Sequence, residues 1–144
     1  MLAGEMSGHI FFKDRWYGFD DGLYAAARLL EILSKDERPS SEVFAALPNA
    51  INTPEILIDL AKDGAQHDFM RKLVGRANFG EGNVSDIDGL RVDYPHGWGL
   101  VRASNTTPSL VIRFEADDEP ELKRIQQIFH EELLSVDSNL NLPF

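Results

Sequence analysis

The stretch Arg102-Ala103-Ser104-Asn105-Thr106-Thr107-Pro108 gathers one guanidinium, three hydroxyls and one side-chain amide into seven positions. A phosphate ester needs a positive charge and several donors that converge on it. Arginine supplies the charge in a planar fork that can make two parallel bonds. Backbone amides of a tight polar loop can complete the cradle. The same Ser, Asn and Thr residues are also ordinary turn formers, so composition alone leaves a plain hairpin loop as the alternative. A second concentration of chemistry is Gly4-Glu5-Met6-Ser7-Gly8-His9. Its glycines let the backbone approach a ligand closely. Glu5 and Ser7 can bond to sugar hydroxyls, and His9 can donate to a phosphate or move a proton. The alternative here is a loop with a solvated Glu and a His that caps a strand.

Other polar groupings carry less. Asp20-Asp21-Gly22 reads as a helix cap rather than a metal site. His67, His96 and His130 lack metal-ligand spacing among themselves. His130-Glu131-Glu132 has no second His four positions after the first, as the zinc helix motif requires. Trp16, Tyr17 and Trp98 read as packing residues rather than sugar platforms.

The elements that must position these groups fall into two unequal parts. In residues 1–48, Ala3 to Gly8 reads as a flexible loop and Ile10-Phe11-Phe12 as a short strand. Leu23, Ala26, Ala27, Leu30 and Leu33 follow helical spacing behind an Asp cap, and the helix ends before Pro39. A short helix starts at Ser40 or Ser41 and carries Val43, Phe44 and Leu47. One strand and two helices are too little to form a domain, and their apolar faces call for a sheet that this stretch does not supply. Residues 49–53, between Pro48 and Pro54, read as a linker. Residues 54–144 then give a strand around Ile56–Leu60 and a helix over 64–77 with Phe69, Met70, Leu73 and Val74 on one stripe. Strands follow at Leu90–Tyr94, Trp98–Ala103 and Leu110–Glu115, and a last helix over 118–134 carries Leu122, Ile125, Phe129 and Leu133. The expected fold class is α+β: a two-layer domain of antiparallel sheet and two helices, TATA-binding-protein-like, preceded by the end of an α/β domain.

Composition narrows the function. In 144 residues, 14 Lys and Arg stand against 24 Asp and Glu, a formal charge of −10 that argues against a nucleic-acid backbone as partner. There is no cysteine, which excludes thiol nucleophiles, thiolate metal sites and disulfides. No run approaches the ~20 apolar residues of a membrane span. Met1 to His9 has no basic residue leading into an apolar run, so no signal peptide is expected.

With these residues in view, the chain resembles the α-D-phosphohexomutases, most of all their bacterial phosphomannomutase/phosphoglucomutase branch. Gly4-Glu5-Met6-Ser7-Gly8-His9 is similar to the family's sugar-binding loop, and Arg102 to Pro108 to its phosphate-binding loop. The likeness extends through Phe11 to Gly22 and through Val92-Asp93-Tyr94-Pro95 to Trp98-Gly99-Leu100-Val101. Met6 favours this branch over the phosphoglucosamine branch, where Gln is more usual. The resemblance implies four domains around a cleft, with residues 1–48 the end of the third and 54–144 the fourth. It implies that Glu5 and Ser7 contact sugar hydroxyls, that His9 acts as acid/base or phosphate ligand, and that Arg102, Ser104, Asn105 and Thr106 bind phosphate. The implied reaction interconverts 1-phospho and 6-phospho mannose or glucose through a bisphosphate, with glucose 1,6-bisphosphate as activator and Mg2+ as cofactor. The implied full-length enzyme is a cytoplasmic monomer. The family's serine motif, Thr-Ala-Ser-His-Asn-Pro, and its metal loop, Asp-Gly-Asp-Gly-Asp-Arg, are both absent from this sequence. The expectation is therefore a carboxyl-terminal part, inactive by itself, that partners the missing N-terminal mutase domains. The alternatives are a stand-alone phosphosugar-binding module or a structural remnant.

Overall fold

The computed structural model describes residues 1–5 and 7–144, so Met6 of the expected sugar loop lies outside the described residues. The chain divides into two units, Met1–Pro48 and Asn49–Phe144.

The first unit opens with a hairpin. β1 (Leu2–Gly4) pairs antiparallel with β2 (Ile10–Phe12), setting Leu2 opposite Phe12 and Gly4 opposite Ile10. The expectation of loop from Ala3 onward is corrected here. Three residues carry no alternation of their own, and it is the pairing with β2 that makes them a strand. α1 (Gly22–Leu33) follows, its N-terminus capped by Asp21, whose side chain accepts from the Tyr24 amide at 3.0 Å. α2 (Ser40–Ala45) is a helix of six residues. Neither helix buries a residue fully, and Leu23, Leu30 and Ile32 are 88%, 65% and 60% exposed. The Trp16 ring stacks on Tyr24 with centroids 4.4 Å apart. Tyr17 is instead exposed, which corrects its expected packing role.

The second unit builds its own core. β3 (Ile51–Asn52), β4 (Ile56–Asp59), β5 (Asn83–Ser85), β6 (Leu90–Tyr94), β7 (Gly97–Ala103) and β8 (Ser109–Ala116) form one antiparallel sheet, and α3 (Ala65–Arg76) and α4 (Glu119–Val136) are its helices. The path runs β3-β8-β7-β6-β5, with β4 also paired to β8. Residues 49–53, expected as linker, thus contribute a strand, since Ile51 pairs with Ala116 and Asn52 with Glu115. Alternation along the central strands sends Val92, Val101, Leu110, Ile112 and Phe114 into the core, where they meet Phe69, Leu73, Ile125, Phe129 and Leu133 of the helices. Full burial of side chains this size stabilises by about 1.5–3 kcal/mol each before entropy is counted. Trp98 stays half-buried outside that core, with the Arg91 guanidinium 4.2 Å over its ring, a second correction to the packing expectation. On α3 the buried stripe is Gln66, Phe69, Met70 and Leu73, while Val74 is 46% exposed. Phe69, Met70 and Leu73 of the stripe read from the sequence are thus buried as expected, Val74 is not, and the same face continues back to Gln66.

Candidate functional site

The β7–β8 connection holds the expected phosphate-binding residues. β7 and β8 are paired along seven positions, from Gly97 opposite Ala116 to Ala103 opposite Leu110, so the loop between them springs from a rigid base. It is closed at its foot by the Ser104 amide donating to the Ser109 carbonyl at 2.9 Å. Arg102 lies half-buried at the end of β7, and Asn105, Thr106 and Thr107 are exposed at the tip. Val101 points into the core, so the neighbouring Arg102 side chain emerges on the opposite face of the sheet.

Ser104 behaves differently from its neighbours. Only 7% exposed, it turns its Oγ into the loop, where it accepts from the Thr106 amide at 3.3 Å, the Thr107 amide at 3.2 Å and the Thr107 hydroxyl at 3.0 Å. The Thr107 hydroxyl also meets the buried Ser109 hydroxyl at 2.7 Å. In this arrangement Ser104 organises the loop, and Arg102, Asn105 and Thr106 present their groups outward. Beneath the loop, Gln66 of α3 donates from Nε2 to the carbonyls of Ser104 and Thr107, both at 3.3 Å. Sequence reasoning passed over Gln66. Its one signal was position: it lies three residues before Phe69 and seven before Leu73, on a stripe that is otherwise apolar.

In the first unit, the β1–β2 hairpin brings Glu5, Ser7 and His9 together. The turn is fixed by the Glu5 amide donating to the His9 carbonyl at 2.9 Å and by the Gly8 amide donating to the Glu5 carbonyl at 3.0 Å. Gly8 has φ of +89°, a left-handed conformation that suits glycine. Ser7 Oγ donates to Glu5 Oε2 at 3.1 Å and lies 2.7 Å from His9 Nδ1. With the serine proton directed to the carboxylate, the serine oxygen accepts from the His9 Nδ1 proton. His9 Nε2 faces Asp20 Oδ2 at 3.8 Å, and Asp20 Oδ1 also accepts from the Ile10 amide at 3.3 Å. The two adjacent aspartates therefore differ in role: Asp21 caps α1, and Asp20 accepts from the hairpin's Ile10 amide beside the imidazole. Sequence reasoning treated both as caps. Glu5 and His9 are more than half exposed, so the trio can reach a ligand without rearrangement.

Among the described residues, no group of three or more His, Cys, Asp or Glu side chains is arranged to hold a metal ion. Among the described residues no helix is long and apolar enough to cross a membrane. A cleft of about 550 Å³ opens at the other end of β7, lined by Phe79, Tyr94, His96, Glu121 and Arg124. Its arginine is committed to Glu121 by two bonds of 2.7 Å, which hold that carboxyl below the usual range, and burial pushes the Tyr94 phenol up.

Known proteins match both units. The family profile described as "Phosphoglucomutase/phosphomannomutase, C-terminal domain" matches residues 37–132, and "Phosphoglucomutase/phosphomannomutase, alpha/beta/alpha domain III" matches residues 1–51. A phosphomannomutase/phosphoglucomutase of Pseudomonas aeruginosa is 60% identical over the whole chain, and a phosphoglucomutase of Neisseria gonorrhoeae is 56% identical over 90% of it. The chain spans 31% and 28% of the lengths of these two relatives. The crystal structure of a phosphoglucomutase/phosphomannomutase family protein from Burkholderia thailandensis superposes with a TM-score of 0.89 at 52% identity, over 99% of this chain and 30% of that one. A hairpin that gathers Glu, Ser and His, an arginine-based loop on a six-stranded antiparallel sheet, and these matches agree in kind and in order along the sequence: the chain belongs to the phosphoglucomutase/phosphomannomutase family.

Proposed function

We propose that the chain is the sugar- and phosphate-binding part of a phosphohexomutase that exchanges 1-phospho and 6-phospho mannose or glucose through a bisphosphorylated intermediate. The observation that carries this reading is the loop after β7. A half-buried arginine stands at its base, exposed Asn105 and Thr106 form its tip, and a paired strand anchors each side. In this reading the Arg102 fork bonds two oxygens of the non-reacting phosphate. Asn105 and Thr106 add donors, and Ser104, whose hydroxyl also meets that of Thr106 at 3.3 Å, holds the loop in shape. Glu5 accepts from sugar hydroxyls, Ser7 bonds beside it, and His9 moves a proton or donates to the reacting phosphate. In this reading residues 1–48 are the end of the sugar-binding domain, and the phosphate-binding domain takes in β3 as well as residues 54–144.

Phosphoryl transfer also needs a donor and neutralisation of charge on the moving group. In the family this is the work of a phosphoserine and of Mg2+, with glucose 1,6-bisphosphate as intermediate. The described residues offer no cluster of side chains fit to hold a metal ion. In this reading both groups are supplied by the part of the relatives' length that this chain does not span. The complete enzyme in this reading is a monomer of the cytoplasm, where phosphosugars are made and used.

Titration of the chain with glucose 1-phosphate or mannose 1-phosphate, followed through backbone amide signals, tests the reading. One guanidinium and a few neutral donors of the β7–β8 loop, set against the entropy of association, give affinity on the order of millimolar. Shifts are expected in residues 102–107, and Arg102→Ala is expected to remove most of the binding. Shifts that map elsewhere, or an Arg102→Ala variant that binds as the parent does, would overturn it. The purified chain alone is expected to show no mutase turnover with Mg2+ and bisphosphate present.

A further inference from the structure

Gln66 is 4% exposed and stands on a helix stripe whose other members, Phe69, Met70 and Leu73, are apolar. Its Nε2 group spends both protons on one loop, at the Ser104 and Thr107 carbonyls. Its Oε1 is buried and has no hydrogen-bond donor among the described residues. A buried amide that leaves its own oxygen unpaired is a poor choice for stability where a side chain of similar volume, such as Met, would fill the space. Its donor end explains what it does there. A trans peptide points its carbonyl and its following N–H in opposite directions. Gln66 draws the Ser104 carbonyl inward, so the N–H of Asn105 is turned outward at the loop tip. The other pinned carbonyl, on Thr107, precedes Pro108, which has no N–H to turn.

We infer that Gln66 is a positioning residue for anion recognition: from inside the fold it aims the Asn105 backbone N–H at the phosphate that Arg102 attracts. The inference rests on the phosphate-loop reading above. It deepens that reading by assigning one backbone donor and the buried side chain that orients it. The amides of Thr106 and Thr107 are already given to Ser104 Oγ, which leaves Asn105 as the outward-facing amide of the tip.

The test uses the whole chain, with glucose 1-phosphate as the probe. In the parent protein the Asn105 amide proton is expected to show the largest shift on titration among loop amides. Gln66→Met is expected to unfold at the same or a higher urea concentration, yet to bind about tenfold more weakly, the worth of roughly one net hydrogen bond, and to lose the Asn105 response. Gln66→Glu sets a carboxylate against two carbonyl oxygens at neutral pH. It is expected to bind weakly there and to recover relative to the parent as acid restores a proton that can be donated. Gln66→Met has no such pH profile. A Gln66→Met variant that binds as the parent does, or that loses stability in step with affinity, would overturn the inference. So would a Gln66→Glu variant whose affinity ratio to the parent is flat with pH. Arg102→Ala separates the two readings. If it leaves binding intact the phosphate loop itself is misassigned, whereas the Asn105 signal in ligand-free Gln66→Met still reports whether the side chain sets that peptide.

Discussion

Arg102 packs against Gly89, and one added methyl there should be felt at the β7–β8 loop. The β6–β7 register pairs Leu90 with Val101, and one step further out it brings Gly89 beside Arg102. Gly89 has φ of +86°, and a Cβ on it would stand 2.5 Å from Arg102 Cβ and 2.6 Å from the Val101 carbonyl oxygen. Neither neighbour is the free end of a flexible side chain. The left-handed conformation costs an alanine about 1–2 kcal/mol, and overpacking a rigid contact about 1–3 kcal/mol. The smaller entropy of the unfolded alanine chain returns only about 0.4–1 kcal/mol. Gly89→Ala should therefore lower stability by about 3 kcal/mol. Any accommodation has to move the end of β7, so the folded fraction should also bind glucose 1-phosphate more weakly. Urea unfolding followed through amide signals of Leu110 to Phe114 measures the first effect, and titration of the folded signals the second. Gly75→Ala is the control. It lies in α3 with nothing within 4 Å of its added Cβ, and should be neutral or mildly stabilising. If Gly89→Ala proves as stable as Gly75→Ala, the packing argument for Arg102 is refuted.

Gly99→Ala would place a Cβ 2.4 Å from Cε2 of the fully buried Phe129 ring, which is held between Phe79 and Phe114 at centroid distances of 4.8 and 5.3 Å. A loss of about 2 kcal/mol is expected, and Phe129→Leu in the same chain should recover part of it. Strictly additive effects in the double-mutant cycle would contradict this contact. Amide exchange should be much faster in α1, which buries no residue, than in β8, which buries six of eight; equal protection would contradict that difference. Hydrogen bonds from Arg15 and Lys35 hold the Glu31 carboxyl at about 2, below its ordinary 4.5. A depressed carboxyl stabilises above its unfolded value and loses that contribution as pH falls through the folded one. The Arg15–Glu31–Lys35 cluster should therefore loosen between about pH 4.5 and pH 2. Carboxyl signals of Glu31 followed by titration check this, and Glu31→Gln should remove the dependence.

The parts of the fold legible in sequence were those with enough residues to show a period. Leu122, Ile125, Phe129 and Leu133 repeat along four turns, and all four are buried. The alternation in β6 and β8 likewise picked out residues that face the helices, such as Val92, Leu110, Ile112 and Phe114, whereas in β7 the bulky Trp98 and Leu100 lie outside the core and Gly99 and Val101 are buried. β1, β3 and β5 hold two or three residues each, too few for any pattern. Their strand character comes from partners distant in sequence: Ile51 pairs with Ala116, across a separation that no local window spans. The candidate site was legible where chemistry is displayed by residue type, as in Arg102 and in the Glu5, Ser7 and His9 trio, which the fold brings together. It was illegible where a residue acts by facing inward. Gln66 reads as an interruption of an apolar stripe and Asp20 as half of a cap, and only the fold shows what each side chain touches.

The donors at the loop tip are unequal, and this bears on how a phosphate would be held. The Thr106 and Thr107 amides reach Ser104 Oγ at 3.3 and 3.2 Å, longer than a strong N–H···O bond. A loop that satisfies its own amides in this way can stay ordered without a ligand, and a hydroxyl oxygen is a modest acceptor. A phosphate oxygen is charged, and bonds to it run shorter, near 2.7–2.9 Å, and about twice as strong. Binding through Thr106 would thus exchange a long neutral bond for a short charged one, with a net gain smaller than the new bond alone. Arg102 and the outward Asn105 amide break no loop bond of this kind in order to bind. Most of the affinity should accordingly follow these two groups, while the hydroxyls of Ser104, Thr107 and Ser109 keep the tip from collapsing when no anion is there. Such a loop would discriminate by charge before it discriminates by shape, which suits the proposed binding of a sugar phosphate.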